Sequence, residues 1–161
     1  MPTYPAIAAA FQPGRPAFIP YFTLGYPDYP TSLAIIRACV ANGADLVELG
    51  MPFSDPVADG ATIQNSTHIA LQKGMTTARC LQAVSDLRAL GVTVPLFLFG
   101  YYNPVLQYGL DRFGADAAAA GANGFLIPDL PPSEGEPLET VCDRHQLGLT
   151  YLLAPTSTPE F

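Results

Sequence analysis

At 161 residues and 17.1 kDa, with 49% hydrophobic residues and a mean hydropathy of +0.23, the chain can bury one sizeable core, which excludes a disordered segment. Seven Lys plus Arg stand against 14 Asp plus Glu, for a formal charge of −7. The cations form no stripe, which argues against a nucleic-acid partner. No apolar run reaches the roughly 18 residues that span a bilayer, and residues 1–12 lack the basic start of a signal peptide, so the expected location is the cytoplasm.

Short apolar runs alternate with helical patterns along the chain. The first run is residues 17–23, ended by Gly25 and Pro27. A helix follows, with Thr31 or Ser32 as its cap, Leu33, Ile36 and Val40 on one face, and Asn42-Gly43 at its end. The second run, residues 44–49, opens into a loop rich in Pro, Gly and Asp over residues 50–60. Residues 62–72 read as weakly helical. Thr76 or Thr77 opens a clearer helix through Cys80, Leu81, Val84 and Leu87. The third strand is expected at 94–99, with a loop at Gly100-Tyr101-Tyr102-Asn103-Pro104. A helix over 110–120 and a strand over 124–127 come next. Ser133 is the expected cap of a helix carrying Leu138, Val141 and Cys142, and a fifth strand is expected at 149–153.

This order is the signature of parallel βα units, and the runs are nearly continuous in apolar residues, as strands covered on both faces require. The loops from helix to strand are short. Those from strand to helix are long and carry the polar residues, Pro and Gly, and in parallel βα folds this is the side where ligands bind. An open doubly wound sheet and a closed eight-stranded barrel both fit so far. The doubly wound fold expects a Gly-rich phosphate turn, but Leu24-Gly25-Tyr26-Pro27 contains no G-x-G-x-x-G. Residues 1–161 are expected to form a single domain. Cys39, Cys80 and Cys142 lie far apart and read as small buried residues. With His68 and His145 also unpaired, no metal site is expected.

Glu48 interrupts the otherwise apolar run Leu46-Val47-Glu48-Leu49-Gly50. Desolvation in such a strand favours the protonated carboxyl, which suits a group that must take and give a proton near neutral pH. The bland alternative is a Glu satisfied by backbone donors or a basic partner. Asp55 and Asp59 follow on the loop, where Asp ordinarily serves a turn.

The run Glu48-Leu49-Gly50-Met51-Pro52-Phe53-Ser54-Asp55-Pro56-Val57-Ala58-Asp59-Gly60, continued by Ala61-Thr62-Ile63-Gln64-Asn65, resembles the signature of the tryptophan synthase α-subunit family. Further blocks stand in family order: Ile19-Pro20-Tyr21-Phe22-Thr23-Leu24-Gly25, Tyr101-Tyr102-Asn103-Pro104-Val105, Pro128-Asp129-Leu130-Pro131 and Ala154-Pro155-Thr156-Ser157-Thr158-Pro159. The resemblance implies an α/β fold, the TIM (β/α)8 barrel. It implies aldol cleavage of indole-3-glycerol phosphate to indole and glyceraldehyde 3-phosphate, without metal or organic cofactor. Glu48 matches the family's general acid–base, and Asp59 the carboxylate that stabilises the ring N–H as positive charge develops. Tyr21 and Phe99 match apolar positions around the indole, and Tyr101 an aromatic near the substrate. Pro52, Asp55, Pro56, Asn103 and Pro104 match segments that face the β subunit in an αββα heterotetramer.

Where the family usually has Gly-Asp-Pro, this chain has Gly25-Tyr26-Pro27. Five strands can be counted, so the barrel is expected to be incomplete in this chain, without the phosphate-binding loops and the mobile closing loop that follow the family's later strands. A chain so built is expected to be inactive alone. Two other readings stay open: a non-catalytic docking and activating partner of a β subunit, and another phosphate-sugar lyase or isomerase on the same barrel.

Overall fold

The computed structural model describes residues 5–155 and 157. Thr156, Thr158 and Pro159 of the last motif block lie outside the described residues, as does most of the loop expected after the fifth strand.

Five strands, β1 (Tyr21–Thr23), β2 (Val47–Gly50), β3 (Leu96–Phe99), β4 (Gly124–Leu126) and β5 (Gly148–Thr150), form one sheet in the order β1-β2-β3-β4-β5. Every neighbouring pair is parallel. A doubly wound sheet reverses its strand order at a switch point, whereas this sheet grows in one direction only, as the wall of a barrel does. The fold is α/β, the arc of a TIM (β/α)8 barrel with five strands among the described residues.

The register sorts the side chains into two faces, because side chains alternate along a strand. Phe22, Leu49, Leu98, Phe125 and Leu149 share one face. They pack against the helices α2 (Tyr29–Ala41), α4 (Thr77–Ala89), α6 (Leu110–Ala120) and α7 (Glu136–His145), through Ile36, Val84, Leu87, Phe113 and Leu138 in one continuous core. Tyr21, Glu48, Phe97, Gly124 and Gly148 share the opposite, inner face, followed one step along by Thr23, Gly50, Phe99, Leu126 and Thr150.

The inner face is closed at the amino ends of the strands by α1 (Pro5–Ala10), a helix the hydrophobic pattern did not announce. Its Ala10 and Ile7 pack on Leu46, Phe97 and Ile19. Gly124 and Gly148 make room there: a Cβ on Gly124 would lie 2.6 Å from the Phe97 ring and 2.5 Å from the Gly148 carbonyl oxygen. At the same end Asp45 pairs with Arg15 and accepts the Phe18 N–H at 2.8 Å. The Arg15 guanidinium holds the Asp45 carboxyl down at about 2. Arg88, half-buried, pairs with no acid among the described residues. It donates instead to the carbonyls of Gly121, Val92 and Val94 and to Asn123 Oδ1, tying together the two loops that lead into β3 and β4.

Three local expectations are corrected. Helix α2 begins at Tyr29, and its cap is Asp28, which accepts the Thr31 N–H at 2.9 Å with Pro30 in the first turn. Ser32 lies inside the helix, where its hydroxyl donates to the Tyr29 carbonyl and accepts the Gly25 N–H. Ser133 caps nothing: Pro131 and Pro132 lead into a 3-10 turn over Pro132–Glu134, and α7 starts from Gly135. Residues 102–104, expected in a loop, are the first turn of a short helix, α5 (Tyr102–Tyr108). Pro104 fits there because the first-turn N–H groups have no helical partner to lose. The weakly helical segment is a full helix, α3 (Ala61–Gln72), and Thr76 caps α4 through the Arg79 N–H.

Candidate active site on the inner face

Glu48 stands in the middle of β2, opposite Tyr21 on one side and Phe97 on the other. Its backbone is fixed, the N–H donating to the Pro20 carbonyl at 3.0 Å. Among the described residues its carboxylate meets no hydrogen-bond donor and forms no ion pair. No backbone N–H and no cation among the described residues satisfies it. Burial alone pushes its pKa up. A partly buried carboxyl without a partner, aimed at the concave side of a sheet, is poised to exchange a proton with whatever occupies that space.

The walls around it are aromatic. Tyr21 and Phe99 meet edge to face, with ring centroids 5.3 Å apart. Gly50 is glycine because the Tyr21 ring lies over it: a Cβ there would sit 2.2 Å from the Tyr21 hydroxyl oxygen. Burial is the main cause of the raised Tyr21 pKa, opposed by a long contact with Thr23, and both Asp59 and Glu48 push it further up. One hydroxyl thus feels both carboxylates. Behind Tyr21, the buried Thr23 hydroxyl bonds Ser66 at 2.8 Å, and Ser66 donates to the Ile63 carbonyl, which anchors α3 to β1.

The loop from β2 to α3 carries Pro52, Asp55, Pro56 and Asp59. Asp55 is exposed, while Pro52, Pro56 and Asp59 are half-buried. Gln64 donates from α3 to the Asp59 carbonyl at 2.8 Å, and the Asp59 N–H reaches the Pro56 carbonyl. Tyr101, only 3% exposed, lies beneath this loop, its hydroxyl 2.9 Å from the Ala58 nitrogen and its ring 5.5 Å from that of Phe53. Asn103 and Pro104 follow directly on α5. The structure therefore gathers every residue singled out in the sequence around the carboxyl ends of β1, β2 and β3.

Phe53, Asp129 and the Thr23–Ser66 pair belong to the same region and were not singled out. Asp129 accepts the Tyr102 N–H at 2.9 Å and so fixes the start of α5. An acid three residues after a strand, opposite a helix start on the neighbouring unit, is a signal visible only once the strand order is known.

A family model described as tryptophan synthase alpha chain matches residues 7–160. The chain belongs to the tryptophan synthase alpha chain family. It is 51% identical over 146 residues to the tryptophan synthase alpha chain of Chloroflexus aggregans, covering 91% of this chain and 55% of that relative. It is 48% identical over 153 residues to the tryptophan synthase of Saccharomyces cerevisiae, covering 95% of this chain and 22% of the yeast protein. Among solved structures, tryptophan synthase from M. tuberculosis superposes with a TM-score of 0.89 at 40% identity, over 97% of this chain and 62% of that one. The alpha subunit from Legionella pneumophila superposes at 0.87 and 38% identity, over 89% and 55%. The chain thus spans 55% of the Chloroflexus alpha chain it matches.

Within that family frame, no Lys or Arg stands on the loops that follow β1, β2, β3 and β4. The described residues hold no cluster of His, Cys, Asp and Glu that would bind a metal. No helix among them is long and apolar enough to cross a membrane.

Proposed function

We propose that this chain carries the acid–base face of an indole-3-glycerol phosphate cleavage site, a lyase activity of tryptophan biosynthesis. The observation that carries the proposal is the unpartnered Glu48 carboxyl on the concave face, sharing the Tyr21 hydroxyl's surroundings with Asp59. Aldol cleavage breaks the bond between indole C3 and the glycerol C3′. The C3′ hydroxyl loses its proton as it becomes the aldehyde of glyceraldehyde 3-phosphate, and indole C3 gains a proton to become indole. One carboxyl that is protonated at the start and regains its proton at the end serves both transfers, and raised basicity suits Glu48 to that role. Asp59, on the more open loop, holds the ring N–H while the ring carries positive charge. Tyr21, Phe99 and Tyr101 enclose the indole.

The substrate phosphate needs a grip that the loops after β1 to β4 do not offer through cations. The 161-residue chain is therefore expected to release no indole by itself, because binding, positioning and water exclusion are incomplete. The test joins residues 1–155 to the part of the Chloroflexus relative that lies beyond its match. That chimera is expected to release indole, and Glu48→Gln and Asp59→Asn are each expected to cut release at least about a hundredfold. Retained cleavage in either variant removes the assigned role. A different phosphate-sugar reaction on this barrel would have no need of the Asp59 partner.

Residues 1–161 fit one domain, the amino-terminal part of the barrel, in a cytoplasmic enzyme. We propose further that Pro52, Asp55, Pro56, Asn103 and Pro104 face a tryptophan synthase β subunit in an αββα assembly. Val57 on the same loop is 83% exposed, an apolar side chain that a partner would cover.

A further inference from the structure

The β2–α3 loop contains Asp59, yet between Pro52 and Gly60 it has no regular structure to hold it. Its stiffness has to come from outside. One side chain reaches both ends of it. The Tyr101 ring stacks on Phe53 near the start of the loop, at 5.5 Å between centroids. The Tyr101 hydroxyl accepts the Ala58 N–H, directly before Asp59, at 2.9 Å. Tyr101 is itself held rigidly. It lies almost wholly buried at the position preceding α5, and the next N–H, that of Tyr102, is taken by the Asp129 carboxylate from the loop after β4. Three successive strand-to-helix loops are thus braced in series: Asp129 fixes the backbone that carries Tyr101, and Tyr101 fixes the backbone that carries Asp59.

Having accepted the Ala58 N–H, the hydroxyl still has its own proton to donate, and the Asp59 carboxylate is among the groups that act on it. Burial is the first cause of the Tyr101 pKa rising to about 12; the Ala58 N–H opposes the rise, and Asp59 and Asp129 add to it. The phenol therefore stays protonated across the working pH range.

We infer that Tyr101 is a positioning residue for Asp59, clamping the β2–α3 loop through its ring at Phe53 and its hydroxyl at Ala58, so that the Asp59 carboxylate is held in place before substrate arrives. The inference rests on the proposed cleavage reaction for its functional half only. The clamp itself is a property of the free chain and can be measured without catalysis.

Two variants separate the ring from the hydroxyl. Tyr101→Phe keeps the stack on Phe53 and removes the acceptor for the Ala58 N–H. Tyr101→Leu removes both. In the 161-residue chain, hydrogen exchange at the Ala58 amide is expected to speed up about tenfold or more in Tyr101→Phe, as a lost bond of about 1.4 kcal/mol implies. Exchange at Leu49 and Leu98 in the strands should stay as in the parent, which shows that the variant is folded. Unchanged exchange at Ala58 in a folded variant would overturn the clamp. In the active chimera, Tyr101→Phe is expected to lower kcat about tenfold and leave KM within about twofold, because the phenyl ring still lines the site while Asp59 is misplaced. A rise in KM with kcat unchanged would make the Tyr101 hydroxyl a direct substrate contact and overturn the positioning role. If the chimera cleaves nothing even with Tyr101 in place, the proposed reaction fails while the exchange result still decides the clamp.

Discussion

The two faces of the one sheet solve opposite problems. The outer face presents Phe22, Leu49, Leu98, Phe125 and Leu149, and helices cover it. The inner face, in the rows on either side of these positions, includes Tyr21, Glu48, Gly50, Phe99 and Thr150. Side chains one residue apart on the same strand therefore differ in kind: Leu49 is completely buried, and Glu48 beside it is a carboxyl with no partner among the described residues. The outer face is built for stability. The inner face gives some of that stability up for reactive groups and for the space around them.

Substitutions chosen across this divide should separate the two roles. The largest stability effect is expected on the outer face. Leu98→Ala removes a side chain with no exposed surface from the centre of the core, at an expected cost of about 2–5 kcal/mol in urea denaturation. A loss below about 1 kcal/mol would mean that the outer layer repacks freely.

A smaller loss is expected from Gly50→Ala on the inner face, about 1–3 kcal/mol, since the added methyl meets the Tyr21 ring with the hydroxyl oxygen at 2.2 Å. The origin of that loss is specific. In the background of Tyr21→Ala the same substitution should cost much less, and a double-mutant cycle reads the difference directly. Equal costs in both backgrounds would place the strain in the backbone instead of the ring.

The sequence carried the alternation of strands and helices but not the side-chain partners. Continuous apolar runs and long strand-to-helix loops pointed to parallel βα units, and Glu48 stood out because a charge in such a run is costly. Residues 17–23 and 44–49 overstate β1 and β2, because apolarity marks burial whereas strand pairing depends on register. The short α5 was hidden by Asn103-Pro104, which reads as a turn signal until the helix start is seen to be fixed by Asp129, 27 residues away. Helix α1 has alanines where a stronger apolar stripe would have announced it, and only its packing on Phe97 makes sense of it. Contacts between loops of successive units, such as Tyr101 with Ala58, have no local signature at all.

The smallest stability effect, and the one of opposite sign, is expected at Glu48. Burial raises its folded pKa above the unfolded value of about 4.3, so the fold disfavours the ionised form. Below that unfolded value the carboxyl is protonated in both states and contributes nothing through its charge. As pH rises through the folded pKa, the folded state must ionise a desolvated group, and stability is lost. Glu48→Gln removes the penalty while keeping the shape. At pH 7.5 the variant should melt about 1–3 °C higher than the parent, and at pH 4 the two should melt together. The same variant should be the most damaging to cleavage, which is the usual sign of a group kept for chemistry at some expense of stability. A Gln variant that melts lower at pH 7.5 would show that the carboxylate is held by favourable contacts, and the inner face would then be stabilising at the very position where a reactive, unpartnered acid is required.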